Sequence, residues 1–217
     1  MTEAGLVYFA DPMCSWCWGF APVIETIVEA WGDTLPIRLV MGGLRPGETT
    51  AMSDEARATL RGHWRHVTEA SGQSFGPAAL AQPGFIYDTD PAARAVVLVR
   101  AHAPGQEIAF LHALQRAFYL EGRDITDVAI LAGLAQGFGL NEDDFAADLL
   151  KPEIKRDAWR DYAISQGAGV TGFPTLILGP GADGAYQPIT RGFQAAAKVL
   201  PIIVSLLGVS GDVAQTK

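Results

Sequence analysis

Cys14 and Cys17 are the two cysteines of the chain, separated by Ser15 and Trp16 within Asp11-Pro12-Met13-Cys14-Ser15-Trp16-Cys17-Trp18. Two thiols can close a disulfide only when their Cα atoms approach within about 7 Å. The first turn of a helix brings residues at this spacing onto one side. An apolar run, Leu6-Val7-Tyr8-Phe9, precedes the pair, and a helical pattern, Val23 to Ala30, follows it. The cysteines therefore fall where a strand hands over to a helix. Backbone N–H groups at a helix start lack partners and the dipole is positive there, which favours a thiolate at Cys14. Cys17, one turn further in, is expected to be more buried. The chemistry this spacing allows is thiol–disulfide exchange: Cys14 attacks as the thiolate and Cys17 resolves the mixed disulfide. Ser15 and Trp16, between them, would set how strongly the pair oxidises.

Two other uses of the spacing compete. Buried cysteines can serve as small core residues, but Cys14 stands at a loop-to-helix junction beside Pro12. A Cys-x-x-Cys can also be half of a zinc site. His63 and His66 offer two more ligands at helical spacing, yet nothing around them resembles the short knuckles from which structural zinc sites draw. No metal is expected.

The elements that must position the pair can be read outward from it. Gly32-Asp33 closes the first helix, and Leu35 to Met41 reads as a second strand, so strand, helix and strand form a parallel unit with a right-handed crossover. Gly42-Gly43-Leu44 ends that strand at the edge where α/β folds place functional crevices. From about Thr49 to Gly167 the pattern is helical. Ser53 is an N-cap for a helix through Ala70, and Ser71 to Pro77 breaks it. Asp90 caps a helix with Pro91 at its first position. Ala95, Leu98, Val99 and His102 line one face of it, His102 as a satisfied core histidine. A helix over Gln106 to Leu120 follows, with His112 off its apolar stripe and solvated. Thr126 and Asn141 cap two further helices, and Pro152 opens one that runs to Gln166. The sheet resumes with Val170-Thr171-Gly172-Phe173-Pro174-Thr175 leading into an apolar strand. Asp183-Gly184 reads as a hairpin turn and Tyr186 to Thr190 as the returning strand. A last helix begins near Phe193 and meets Pro201, which should kink or restart it. Ser210 to Lys217 reads as a frayed tail.

Length and charge bound the rest. The chain has 217 residues, 49% of them apolar, and a net charge of −8. That charge disfavours general nucleic-acid or anionic-membrane binding, and no apolar run is long enough for a transmembrane helix. The start of the chain has no basic region of a signal peptide. With no cysteines beyond the pair, a structural disulfide is not available, and a reducing, cytoplasmic compartment is expected. A monomer is the default.

A strand, a Cys-x-x-Cys at a helix start and Pro22 beyond it resemble the thioredoxin superfamily. Asp11 to Trp18 more closely resembles the cytoplasmic DsbA-type group of protein-disulfide isomerases, the FrnE-like proteins. The resemblance implies an α/β thioredoxin fold, residues 1–48 and 168–217, with an inserted all-helical subdomain, residues 49–167. It also implies that Gly172-Phe173-Pro174-Thr175 is the loop whose proline is cis and faces the cysteines. The backbone of Phe173 would then pair with a substrate strand beside Cys14, a form of β-augmentation. The site so implied comprises Cys14, Cys17 and Pro174 as catalytic residues, with Ser15, Trp16 and Phe173 binding substrate. No cofactor is needed beyond the dithiol, with glutathione a candidate electron donor and a protein or small-molecule thiol or disulfide as substrate. Ser15-Trp16 departs from the periplasmic members, which hold a histidine in this dipeptide. Two alternatives share the fold. Glutathione-dependent transferases and isomerases usually hold serine at the position of Cys14, and some DsbA-like proteins are adaptors for proteolysis.

Overall fold

The first apolar run forms β1 (Gly5–Ala10) in the computed structural model, which describes residues 5–76, 79–181 and 184–207. It is an inner strand of a four-stranded sheet, ordered β2-β1-β3-β4. Tyr8, Phe9 and Ala10 are all buried, as an inner strand covered on both faces requires. β2 (Ile37–Met41) pairs with β1 in parallel, while β3 (Thr175–Gly179) and β4 (Gln187–Arg191) add antiparallel strands. The parallel pair is connected by α1 (Ser15–Trp31), as a crossover demands. Between β2 and β3 lie α2 (Asp54–Ser71), a short 3-10 turn (Ala79–Ala81), α3 (Asp90–His102), α4 (Glu107–Tyr119), α5 (Val128–Gln136), α6 (Glu142–Leu149) and α7 (Pro152–Gly167). α8 (Ala196–Leu207) follows β4. The architecture is the thioredoxin fold with a helical insertion. No helix among the described residues is long and apolar enough to cross a membrane.

Two polar devices fasten the insertion to the sheet. β2 is an edge strand, and an open edge leaves donors and acceptors unpaired. Asp161 of α7 accepts from the Met41 N–H at 2.9 Å, and Arg100 of α3 donates to the Leu39 carbonyl at 2.9 Å. The two side chains also pair with each other at 2.9 and 3.1 Å. The second device follows from Pro22 inside α1. A proline within a helix leaves the carbonyl four residues earlier without its N–H. Here that carbonyl belongs to Trp18, and the Gln73 side chain donates to it at 3.3 Å. The Trp18 indole N–H donates in turn to the Ser74 carbonyl at 3.0 Å. The loop after α2 is thereby locked onto the helix that carries the cysteines.

Several local expectations shift. Thr89, not Asp90, precedes the first turn of α3. The Asp90 carboxylate is occupied elsewhere, accepting from the Trp159 indole N–H and the Tyr162 hydroxyl of α7 at 3.1 Å each. Asp127 rather than Thr126 caps α5, because the Thr126 hydroxyl donates to Asp124 at 2.7 Å. Ser53 and Asn141 cap α2 and α6 as read. His102 is not a core residue: its side chain is 50% exposed, 3.7 Å from Asp148. His112 is the reverse case, 15% exposed where solvation was expected. It faces Glu25 of α1, so α1 packing on α4 covers a position that the stripe of α4 leaves out. β4 begins at Gln187 and α8 at Ala196, and α8 continues through Pro201. Asp183 of the expected hairpin turn and the tail from Ser210 lie outside the described residues.

Candidate active site

Cys14 is the N-cap of α1, with extended backbone angles. Its sulfur accepts from the Cys17 backbone N–H at 3.3 Å, so one of the orphan donors of the first turn points at sulfur. Cys14 is 6% exposed and Cys17 fully buried, and both thiols are free. Burial pushes the Cys17 thiol well above its usual range, with the neighbouring Cys14 adding to the effect. The Cys14 thiol donates to the Phe173 carbonyl at 3.6 Å, across 159 residues of sequence. The Phe173–Pro174 peptide is cis, as is Gly179–Pro180.

Close packing explains why that carbonyl reaches the sulfur. The Phe173 ring lies against Gly42, where an added Cβ would stand 2.2 Å from the ring. Only glycine fits there. Gly43 adopts φ +71°, and a Cβ on it would meet the Tyr162 ring at 2.8 Å. The Gly42-Gly43 turn is thus a seat for two aromatic rings, one of them carrying the wall opposite Cys14.

Asp11 ties the walls together. It is fully buried. One carboxylate oxygen accepts from the Met13 N–H at 3.0 Å, the other from the Leu44 N–H at 2.9 Å. Its own carbonyl accepts from the Cys14 N–H at 3.1 Å. Burial raises the Asp11 carboxyl to about 6, against the pull of the hydrogen bonds from Leu44, Met13 and Thr89. The Tyr87 hydroxyl donates to the Met13 carbonyl, completing the support of the residue before Cys14.

Cys14, Ser15, Trp16 and Phe173 open onto a cleft of about 470 Å³. Cys17 and Pro174 are buried behind it. Arg45 and His63 line it, and among the described residues no Asp or Glu does, in a chain whose net charge is −8. Trp16 packs its ring on Phe193 with centroids 5.5 Å apart. Among the described residues no three His, Cys, Asp or Glu side chains gather as a metal ligand set. His63, which the sequence offers with His66 as a possible metal ligand, lines the cleft. Asp11, Tyr87 and Arg45 had no assigned role in the sequence reading. An acidic residue placed directly after a buried strand was the available signal for Asp11.

A free dithiol at a helix N-terminus, beside a loop with a cis proline, is the arrangement of a thioredoxin-type site. The chain belongs to the family described as the DSBA-like thioredoxin domain, which it matches over residues 6–191. A solved protein from Nitrosomonas europaea, provisionally described as a protein disulfide isomerase, is 36% identical with a TM-score of 0.85, covering 96% of this chain and all of its own. The cytosolic disulfide reductase DsbM from Pseudomonas aeruginosa is 25% identical with a TM-score of 0.77, covering 95% of this chain and 100% of its own. It has also been solved with glutathione. Among curated proteins, the ClpXP adapter protein SpxH of Halalkalibacterium halodurans is 27% identical over 175 residues. That match covers 78% of this chain and 56% of the adapter, so the chain spans about half the length of these curated relatives.

Proposed function

We propose that the protein is a cytosolic thiol–disulfide oxidoreductase acting through a mixed disulfide at Cys14. The observation that carries this reading is the Cys14 sulfur itself, held between the Cys17 N–H at 3.3 Å and the Phe173 carbonyl at 3.6 Å. In the forward step the Cys14 thiolate attacks a substrate disulfide, forming the mixed disulfide and releasing one substrate thiolate. Cys17 then attacks Cys14, closing the intramolecular disulfide and releasing the second thiolate. Two electrons have passed from the dithiol to the substrate. Two thiol donors restore the dithiol by the reverse sequence, and the direction of net flow follows the potential of the pair. Phe173 offers the backbone edge beside Cys14, with Pro174 fixing that edge and Ser15 and Trp16 forming the near wall.

Glutathione is the donor we favour. Its carboxylates suit a cleft lined by Arg45 and His63 and, among the described residues, by no acid, and a related reductase has been solved with it. Exchange with glutathione buffers should vanish in Cys14→Ser. Turnover that survives this substitution overturns the proposal. A second reading, an adapter, is favoured by the names of the curated relatives. It requires a protein partner retained by the Cys14→Ser, Cys17→Ser double variant, whereas the exchange reading requires that every captured protein be lost on reduction.

A further inference from the structure

Asp11 directly follows β1, and its carboxylate is fully buried. Taking a carboxylate out of water is costly, and its oxygens must then find donors. The donors here are backbone N–H groups of two segments far apart in sequence. Met13, at 3.0 Å, belongs to the loop that carries Cys14, while Leu44, at 2.9 Å and 33 residues on, lies beyond the end of β2. Both residues line the cleft.

The segment after β2 has three anchors in a row. The Gly42 N–H donates to the Ala10 carbonyl at 2.7 Å, the Leu44 N–H to the Asp11 carboxylate, and the Arg45 N–H to the Thr89 hydroxyl at 3.1 Å. The middle anchor is the one whose acceptor also holds the cysteine loop. Arg45 lays its guanidinium over the Tyr87 ring, 5.3 Å from the centroid, and the Tyr87 hydroxyl reaches the Met13 carbonyl. The Leu44 side chain is 40% exposed and free to meet a ligand. A small disulfide needs only the Cys14 sulfur. A larger one carries groups that extend along the cleft to Leu44 and Arg45.

Resting on the exchange reading above, we propose that Asp11 is a positioning residue, its carboxylate setting where the Leu44–Arg45 wall stands relative to Cys14. The wall so placed selects for substrates with groups beyond their disulfide. A carboxylate suits this task because both of its oxygens accept, whereas an amide has one end that accepts and one that donates. In Asp11→Asn the carbonyl oxygen keeps the local Met13 N–H, a turn contact two residues on. The amide nitrogen then faces the Leu44 N–H, donor against donor, and the wall moves off.

The test is a ratio of two rates. Reduced wild type and Asp11→Asn are oxidised by glutathione disulfide and by hydroxyethyl disulfide, which is too small to reach the wall. Each reaction is acid-quenched and followed by mass spectrometry. The second-order rate constant with glutathione disulfide, divided by that with hydroxyethyl disulfide, should fall at least about tenfold in the variant, the size of one lost hydrogen bond to a charged group. A ratio equal to that of wild type overturns the inference, whether the separate rates hold or fall together. A common fall would make Asp11 a stabilising residue or one that acts on the sulfur itself. Asp11→Ser keeps a local acceptor but is too short for Leu44, and its ratio is read in the same way if Asp11→Asn does not fold. A wild-type protein that neither disulfide oxidises overturns the exchange reading and this inference together; normal wild-type exchange with an unchanged ratio in the variant overturns the inference alone.

Discussion

At the scale of single residues, the site depends on groups that make room as much as on groups that react. Gly42 has no reactive atom, yet a Cβ there would stand 2.2 Å from the Phe173 ring. Gly42→Ala should push that ring, and with it the Phe173 carbonyl, away from the Cys14 sulfur. Exchange with glutathione buffers should fall at least about tenfold, and overpacking should lower stability by about 1–3 kcal/mol in thermal or denaturant unfolding. Full activity in this variant would mean that the Phe173 edge plays no part. The Cys14–Cys17 pair stands out in the sequence because two thiols at that spacing already suggest a chemistry, whereas the place of Pro174 beside them is what the family resemblance implies. Asp11 was not legible, because locally it is an ordinary acid before a proline. What distinguishes it is burial against a chain segment distant in sequence, where its carboxylate accepts from the Leu44 N–H.

At the scale of elements, the insertion holds the cysteine helix and the sheet edge through buried polar contacts. The Arg100–Asp161 pair satisfies two backbone groups of β2 and neutralises its own charges. Removing one partner leaves the other charged and half-enclosed. Arg100→Leu should therefore destabilise the fold by about 3 kcal/mol, while adding Asp161→Leu should recover part of that loss. A chemical-denaturation double-mutant cycle reads both, and additive effects would show that the pair is not coupled. The helices themselves were legible from periodicity, Ser53, Asn141 and Pro152 among their start signals. Their pairings were not. Periodicity reports which face of a helix is apolar, not which neighbour covers the rest. That is why His112, off the stripe of α4, is nonetheless enclosed by α1, and why His102, on a stripe, is half exposed.

At the scale of the molecule, two buried groups titrate in opposite senses. His112 is pushed down to about 4 by burial, from an ordinary value of 6.5. Its Nδ1 stands 3.2 Å from Glu25, but that carboxylate is 58% exposed and too screened to offset burial. Between about pH 4 and 6.5 the unfolded chain holds the proton that the folded His112 refuses, so this group makes stability rise with pH across that window. Asp11 is raised to about 6 from 3.8, so between about pH 4 and 6 the folded state holds the extra proton. This group makes stability fall as pH rises through that window. Each effect amounts to about 3 kcal/mol, and in the native protein they largely offset. In His112→Leu, stability should fall as pH rises from about 4 to about 6. In Asp11→Asn it should rise over the same range. Urea unfolding at a series of pH values reads both slopes, and parallel profiles in the two variants would contradict the assignment.

The central claim is that Cys14 carries the covalent intermediate and Cys17 discharges it. The most direct measurement is intact-protein and peptide mass spectrometry of Cys17→Ser after exposure to glutathione disulfide. The account expects one stable glutathione adduct per chain, mapped to Cys14 and removed by reductant, while the native protein under the same conditions passes on to the Cys14–Cys17 disulfide. An unmodified Cys14 in that variant, with the native protein equally inert, would contradict it.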